Sequence, residues 1–375
     1  MAQQRKIKVL ETIRQGKIGG GESHVLDLVA SLDKTQFEVV VLSFTDGPMV
    51  TALQSMNIPV QVIGSSKAFD LSVWMAVKKF IRSHQIDIVH AHGTRANTNI
   101  LWAARSLGIP VVYTIHGWSF HEGLHPLAKR ARVTAEKFIT RMVQHNICVS
   151  DSNRNTGQKA FGAFRATVIP NGVNLEKFNA EGVYPDVKAA YGIPADHLVV
   201  CYIARMTLQK DPVTMLRAFA QVLAQVPKIT LLMVGEGELK QAAEDTAKEL
   251  GITGHVIFDK FRQDVPAVLN AADIYCLPSL WEGFPIGVLE AMAMGKAVIA
   301  SDVDGTREAI THEENGLLIP ASHPGALASA IVRLTKDPTL RKRLQFSAAT
   351  AIRSRYNVTA VTKKIEAVYH QLFKS

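Results

Sequence analysis

Three observations predict an α/β protein built from two doubly wound domains. At 375 residues the chain exceeds what one hydrophobic core ordinarily organises, and two domains of about 150–200 residues follow. Short runs rich in Val and Ile, without polar alternation, recur from end to end, as in parallel sheets buried on both faces. Amphipathic helical stretches separate these runs in a βαβ rhythm. An apolar content of 47%, spread along the whole length, excludes a globally disordered chain.

In the first half the expected strands are Ile7–Ile13, Phe37–Phe44, Pro59–Ile63, Ile86–His92, Pro110–His116, His145–Val149 and Ala166–Ile169. Between the first two, Glu22–Leu32 sets Val25, Leu26, Leu28, Val29 and Leu32 on one broad stripe, the mark of a helix laid on a sheet. From Asn171 to Pro194 the pattern pauses, with Gly172, Gly182, Pro185, Gly192 and Pro194 and no convincing strand. The interdomain connection is expected there. The alternation resumes with strands at His197–Ile203, Ile229–Val234, His255–Phe258, Asp273–Leu277, Ala297–Ala300 and Gly316–Ile319. Helices are expected at Pro212–Val226, Glu238–Leu250, Val265–Ala271 and Pro285–Met294, then from His323 to Phe373. The domains are accordingly residues 1–178 and 179–358. Two Rossmann-like domains imply a cleft between them, with ligands at the C-terminal ends of strands.

No apolar stretch approaches the roughly 18–20 residues of a membrane span. Met1–Leu10 carries Arg5, Lys6 and Lys8 but neither an apolar core nor a small-residue cleavage site, so no secretory signal is read there. Cys148, Cys201 and Cys276 lie in separate apolar runs without C-x-x-C spacing, which suits buried, reduced thiols. The expectation is a soluble, cytoplasmic protein. Its net charge of +9 is uneven: residues 1–180 hold 21 Lys+Arg and 12 Asp+Glu, and the remainder 21 of each. The densest part, Lys129, Arg130, Arg132, Lys137 and Arg141, shares a helical stretch with Leu127, Val133, Phe138 and Ile139. Two readings stand: a basic amphipathic helix for an anionic membrane surface, or a solvated face that keeps the protein soluble. No nucleic-acid motif accompanies the charge, so nucleic acid is not an expected partner.

After the first strand, Gly16-Lys17-Ile18-Gly19-Gly20-Gly21-Glu22 opens a helix. Glycines there let backbone N–H groups approach an anion beside the positive end of the helix dipole. A nicotinamide fingerprint needs G-x-G-x-x-G. Here Gly19-x-Gly21 leads to His24, which makes the dinucleotide reading weak and leaves a structural turn open. Two strands end in His90-Ala91-His92-Gly93 and His116-Gly117-Trp118, with His121 and His125 just beyond. His-x-His is a zinc-compatible spacing, but no supporting carboxylate or cysteine pattern appears and no metal is expected. Histidines at strand ends suit hydrogen bonds to a polar substrate or movement of a proton; for His90 a satisfied core histidine is the other reading. Trp118 and Phe120 offer an apolar platform for a sugar ring or lipid.

In the second half, Arg205 follows the strand ending at Ile203, and Lys210 precedes the next helix. Two cations beside a strand end and a helix N-terminus suit a diphosphate, with two exposed charges as the bland alternative. The stretch Pro278–Gly295 places Glu282 in a loop, Pro285 at the first position of a helix and Glu290 one to two turns inside it. An acidic side chain in an otherwise apolar helix is costly unless paired, and two carboxylates so placed accept hydrogen bonds from sugar hydroxyls. Nothing beside them supplies the water-activating arrangement of a hydrolase.

Taken together, several segments resemble the family-4 retaining glycosyltransferases with the GT-B fold over nearly the whole chain. They are Gly19-Gly20-Gly21-Glu22, Val168-Ile169-Pro170-Asn171-Gly172-Val173-Asn174, the Arg205/Lys210 pair, Glu282 and Glu290 with the Ala-Met-Ala-Met-Gly after them, and Ser301-Asp302-Val303-Asp304-Gly305. The resemblance implies two Rossmann-like domains facing across a cleft and transfer of a sugar from a nucleoside-diphosphate sugar, with retention and with no cofactor or bound metal. By position, Arg205 and Lys210 hold the donor diphosphate and neutralise it as it leaves, Glu290 binds ribose hydroxyls, and Glu282 contacts the transferred sugar. Main-chain N–H groups around Phe284, Ile286 and Gly287 support the sugar and phosphate, and Phe261 and Arg262 match the region receiving the base. Gly19, Gly20 and Gly21 approach the diphosphate, and His116 sits at the reaction centre. Retaining members are described by front-face departure and attack, the leaving phosphate helping to deprotonate the acceptor.

The chain departs from the family's pattern at Ala204 and Asp211, where glycines are common, and at Pro285, which lacks an N–H to donate. The resemblance also implies that the final helix, about 359–375, packs back on the first domain. The leading expectation is cell-surface glycan assembly on a lipid-linked acceptor at the inner membrane face, with Trp118, Phe120, Lys129, Arg130 and Arg132 on the acceptor side. A UDP-hexose or UDP-N-acetylhexosamine is favoured over GDP-mannose only by general frequency. The competing expectations are a GT-B nucleotide-sugar epimerase and a sugar-nucleotide-binding protein without turnover.

Overall fold

A computed structural model describes residues 5–16, 19–121 and 123–374. Lys17 and Ile18 of the glycine-rich turn, and the first four residues considered for a signal sequence, lie outside the described residues. The described chain divides into two units, one ending at Gly172 and resuming at Val358, the other running from Val173 to Asn357.

The first unit carries a seven-stranded sheet, and every pairing in it is parallel. Its strands are β1 (Ile7–Ile13), β2 (Phe37–Ser43), β3 (Val60–Val62), β4 (Ile88–His92), β5 (Val111–Ile115), β6 (His145–Cys148) and β7 (Ala166–Val168). The order β3-β2-β1-β4-β5-β6-β7 reverses between β1 and β4. β-branched residues fill the inner strands because both faces are covered, so Val9, Ile88, Val111 and Val112 are wholly buried. Helix Gly20–Ser31 begins two residues earlier than the apolar stripe suggested, its first two residues being glycines.

The second unit repeats the plan with β8 (Leu198–Ile203), β9 (Ile229–Val234), β10 (Val256–Asp259), β11 (Ile274–Leu277), β12 (Ala297–Ser301) and β13 (Leu317–Ile319). Its order, β10-β9-β8-β11-β12-β13, reverses between β8 and β11, the place where strand-end loops splay and ligands bind in doubly wound sheets.

Helix Val358–Phe373 returns to the first unit and inserts Val361, Ile365, Val368 and Tyr369 among Ile7, Val9, Leu28, Phe37 and Ile88. Each apolar side chain buried there contributes about 1.5–3 kcal/mol. The division at 172/173 lies six residues before the boundary drawn from the sequence at 178. The Val173 N–H bonds to the Tyr356 carbonyl at 2.8 Å and Val173 pairs with Asn357, which ties the connecting segment to the second unit from its first residue. Cys148, Cys201 and Cys276 are free and buried. No helix among the described residues is long and apolar enough to cross a membrane.

Candidate active site

In the second unit, Arg205 and Lys210 leave the loop after β8. That loop is held by a glycine pair that sequence reasoning passed over. A Cβ on Gly235 would stand 2.0 Å from the Ala204 carbonyl oxygen, and one on Gly237 2.2 Å from that of Met206. Gly235 also has φ of +149°, which only glycine adopts readily. The Ala204 N–H donates to Val234 O at 3.1 Å and the Met206 N–H to Glu236 O at 3.0 Å, closing the seam. A Gly-x-Gly directly after an apolar strand was the available signal.

The loop ends in a single 3₁₀ turn, Leu208–Lys210, after which Asp211 opens helix Pro212–Leu223. Asp211 is left-handed, at φ +46° and ψ +60°, a conformation that glycine adopts more readily. Its carboxylate accepts from the Thr214 N–H at 3.1 Å and so caps the helix. The loop after β11 is stitched to this turn: the Leu280 N–H donates to Gln209 O at 2.8 Å, and Gln209 Nε2 to Trp281 O at 2.8 Å. These bonds bring Lys210 and Glu282 together. Lys210 Nζ donates to Glu282 Oε1, which also accepts from Ser279 Oγ at 2.6 Å. Glu282 is 7% exposed, so a carboxylate with two fixed donors stands at the edge of solvent. Arg205 is exposed.

Helix Ile286–Ala293 follows, with Pro285 as its N-cap and not its first residue. Phe284 and Ile286 bury their side chains, leaving their main chain as the part able to meet a ligand. A Cβ on Gly287 would lie 2.6 Å from Tyr275 Oη, which itself donates to Ile203 O at 3.2 Å. The helix start is thereby fixed against the end of β8. Burial, followed by the Glu290 charge, pushes the Tyr275 phenol far up. A Cβ on Gly305 would stand 1.9 Å from Gly283 O, so the Glu282 loop has no room to shift outward there.

Phe261 and Arg262 follow β10, the edge strand two places from β8. Arg262 is not an open cation: it forks onto Asp264 at 2.8 and 2.5 Å and reaches Tyr191 Oη at 2.8 Å. The Asp264 hydrogen bonds hold its guanidinium above the usual range. The structure joins neither residue to the Lys210–Glu282 cluster.

In the first unit, a buried polar chain lies at the reversal between β1 and β4. Glu11, the fifth residue of β1, is wholly buried. Its Oε1 accepts from Tyr369 Oη at 2.7 Å and its Oε2 pairs with His92 Nε2 at 2.8 Å. His92 Nδ1 pairs with His116 Nε2 at 3.0 Å. His90 is a satisfied core histidine, with Nδ1 on Tyr369 Oη at 2.5 Å and Nε2 on Thr114 Oγ1 at 2.7 Å. His24 stands where a dinucleotide fingerprint has its third glycine, and its ring lies 5.5 Å from that of His92 and 5.1 Å from that of His116. The Gly21 backbone passes beside His116: a Cβ there would be 3.6 Å from its ring.

Two groups here, His24/His92/His116 and Glu11/His90/His92, have metal-ligating atoms within 4.8 Å of one another. His92 belongs to both, and each of its nitrogens lies within hydrogen-bond distance of a neighbour, Nε2 of Glu11 and Nδ1 of His116.

Burial pushes Glu11 up, but the charges and hydrogen bonds of His90 and His92 outweigh it and hold the carboxyl well below the usual range. Burial, then neighbouring histidine charges, pushes His24 down to about 3 and His92 to about 4. Both values lie below the unfolded value of 6.5, so the unfolded chain takes up protons first and stability is lost as pH falls. We expect the first unit to lose about 1.4 kcal/mol per pH unit for each histidine between about pH 6 and pH 4.5. Urea melts across that range measure it; identical midpoints at both ends would refute it, and His24→Phe should remove part of the slope.

The acceptor-side expectations divide. Trp118 and Phe120 do not form an open platform. Phe120 is buried, and Trp118 stacks on it at 5.4 Å while meeting Phe161 and Phe164 edge-on. Trp118 Nε1 donates to Asn153 O at 2.7 Å. Four aromatic rings gain more from packing on one another than from facing water. Lys129, Arg130 and Arg132 lie on helix Pro126–Met142, where Arg130 and Arg132 are exposed and Arg132 reaches Ser119 O at 2.7 Å. The opposite face of the helix buries Glu136, Ile139 and Thr140. Burial holds the Glu136 carboxyl above its usual range; it accepts from Thr94 Oγ1 at 2.6 Å.

Residues 18–177 match the family described as Glycosyltransferase Family 4, and residues 184–350 the one described as Glycosyl transferases group 1. A phosphatidyl-myo-inositol mannosyltransferase from Mycobacterium leprae (strain TN) is 30% identical over 368 residues, 95% of this chain and 94% of that protein. The UDP-Gal:alpha-D-GlcNAc-diphosphoundecaprenol alpha-1,3-galactosyltransferase of Escherichia coli is 26% identical over 375 residues, 97% of each chain. Among solved structures, Anabaena HepE in complex with UDP-glucose shares the fold with a TM-score of 0.86 at 24% identity, covering 97% of this chain and 100% of that one.

Proposed function

The chain belongs to glycosyltransferase family 4, and from that premise we propose that it moves a hexose or N-acetylhexosamine from a UDP-sugar to an acceptor hydroxyl, with retention and without a bound metal. The observation that carries this reading is the Lys210–Glu282–Ser279 cluster on the loops after β8 and β11, with Arg205 leaving the same turn. A departing diphosphate carries negative charge, and two cations beside a helix N-terminus, Lys210 already held by Glu282, neutralise it without an added ion. Glu282 contacts the transferred sugar, Glu290 the ribose, and the main chain of Phe284, Ile286 and Gly287 the sugar and phosphate. In the first unit, Gly19, Gly20 and Gly21 offer N–H groups to an anionic substrate group, and His116 stands at the reaction centre. The acceptor class is a lipid-linked glycan, supported by relatives named for diphosphoundecaprenol and phosphatidyl-myo-inositol substrates.

The test is incubation of the purified protein with UDP-sugars, with and without a polyprenyl-diphosphate sugar, in the presence of a chelator. Acceptor-dependent release of UDP and an α-linked product by NMR are expected from an α-linked donor. An epimerised donor formed without acceptor, or tight donor binding with Arg205, Lys210 and Glu282 all dispensable, refutes the reading. Loss of turnover in chelator that returns with a divalent ion refutes its metal-independent part.

The work site in this reading is the cytoplasmic face of a membrane. Helix Pro126–Met142 exposes Leu127 at 72% and Phe138 at 48% among its cations, and helix Leu71–Ser83 exposes Met75 at 77%. Apolar side chains ringed by basic ones suit an anionic leaflet. With about 1 kcal/mol for each basic residue near such a surface, alanine at Lys129, Arg130 and Arg132 together should weaken vesicle binding on the order of 10²-fold. Sedimentation with anionic vesicles measures this; unchanged binding by the triple variant would sink the membrane assignment.

A further inference from the structure

The buried chain in the first unit fixes where its protons sit. An ionised carboxylate only accepts, so the His92 Nε2 facing Glu11 at 2.8 Å must carry a hydrogen. Burial and neighbouring charge keep His92 neutral at neutral pH, which leaves its Nδ1 bare. That bare nitrogen lies 3.0 Å from His116 Nε2, where two lone pairs would repel, so His116 Nε2 carries a hydrogen in turn. His116 is itself held neutral: burial disfavours its charged form first, and any proton on His24, His92 or His90 would repel another there. Its Nδ1 is therefore a bare acceptor, and this atom is buried without a hydrogen-bond partner. A buried acceptor left open is costly, and Gly21 packs on the Cδ2–Nε2 edge of the ring, so this Nδ1 is left for a donor from outside the chain.

We propose that Glu11 and His92 are positioning residues: through this chain they hold His116 as its Nε2–H tautomer, presenting Nδ1 to a substrate hydroxyl as a hydrogen-bond acceptor. The proposal rests on the reading of His116 at the reaction centre and adds the groups that orient it. A second ring nitrogen fixed by a carboxylate or its relay is a common way of selecting the active tautomer of a histidine. Tyr369 fills the other carboxylate oxygen, which keeps Glu11 from turning away from His92.

The experiment is long-range ¹H–¹⁵N correlation of ¹⁵N-histidine-labelled full-length protein at pH 7.5, with His116 assigned by the peaks lost in His116→Gln. The wild type should show His116 with a protonated Nε2 and a pyridine-like Nδ1. In His92→Phe the second tautomer should appear, with kcat about tenfold lower or more and donor KM within about twofold of wild type. His92→Asn, whose amide oxygen can replace Nδ1 as acceptor, should recover part of both. Glu11→Gln should give a mixture of tautomers. A wild-type His116 protonated on Nδ1, or a tautomer unmoved by both His92→Phe and Glu11→Gln, overturns the proposal. If His92→Phe does not fold, the wild-type and His92→Asn spectra decide. Full activity in His116→Ala would instead overturn the reaction-centre reading and leave the tautomer result standing.

Discussion

Replacing Lys210 with alanine lowers kcat by about 10²–10³-fold at saturating donor, the scale set by loss of one preorganised group that stabilises charge developing in a transition state. The ammonium is placed before any substrate arrives, because Glu282 holds it and Ser279 holds Glu282. The variant also strands the Glu282 carboxylate with one side-chain donor in a nearly buried position, at a stability cost of about 1–3 kcal/mol. The two effects separate in the double variant Lys210→Ala/Glu282→Gln. Removing the stranded charge should restore most of the melting temperature, while turnover stays low. Acceptor-dependent UDP release and thermal denaturation measured on the same samples give both readouts. Turnover that returns to the level of the single variant Glu282→Gln, together with stability, would mean Lys210 is structural only.

Gly235→Ala carries the second large effect. The new Cβ would fall 2.0 Å from Ala204 O, at φ +149°, so either the β9 end or the Arg205 turn must move. Backbone atoms cannot swing aside as a side-chain tip does, and a cost of about 2–4 kcal/mol is expected for the second unit, at the upper end for a point substitution. For a unit of this size that is roughly 5–15 °C in Tm. Because the displaced segment carries Arg205, activity below the melting point should fall by about tenfold or more, a loss that a remote change of equal cost would not produce. Calorimetry and turnover at 20 °C check both parts. Wild-type turnover in a destabilised Gly235→Ala protein would detach the glycine pair from the site.

Much of this architecture was legible because the signals are local. Uninterrupted Val and Ile runs marked buried parallel strands, and the expected strands and helices differ from the observed ones mainly at their ends, where capping geometry decides. Arg205, Lys210, Glu282 and Glu290 were visible as charges at strand ends or in an apolar helix. What supports them was not: Ser279, which holds Glu282, and Tyr275, which bonds to the end of β8, look ordinary in the chain and act through contacts that only folding makes. Trp118 and Phe120 read as a platform because an aromatic pair after a strand has the same sequence whether it faces water or other rings. Arg262 has Asp264 two residues on, a local partner that was readable and weighs against an open cation. Glu11, a lone carboxylate in an apolar strand, was the sign of a buried partner; that the partners are His92 and Tyr369 lies beyond any local pattern.

The pairing of Tyr369 with Glu11 joins residues 358 positions apart, across the entire second unit. As the polypeptide leaves the ribosome, the opening sheet is complete long before its supporting phenol exists. A nascent enzyme therefore holds its histidines only loosely until the closing helix docks, and full turnover awaits that docking. Disruption of the helix Val358–Phe373, far along the chain from any sugar-contacting loop, would consequently be felt in the chemistry.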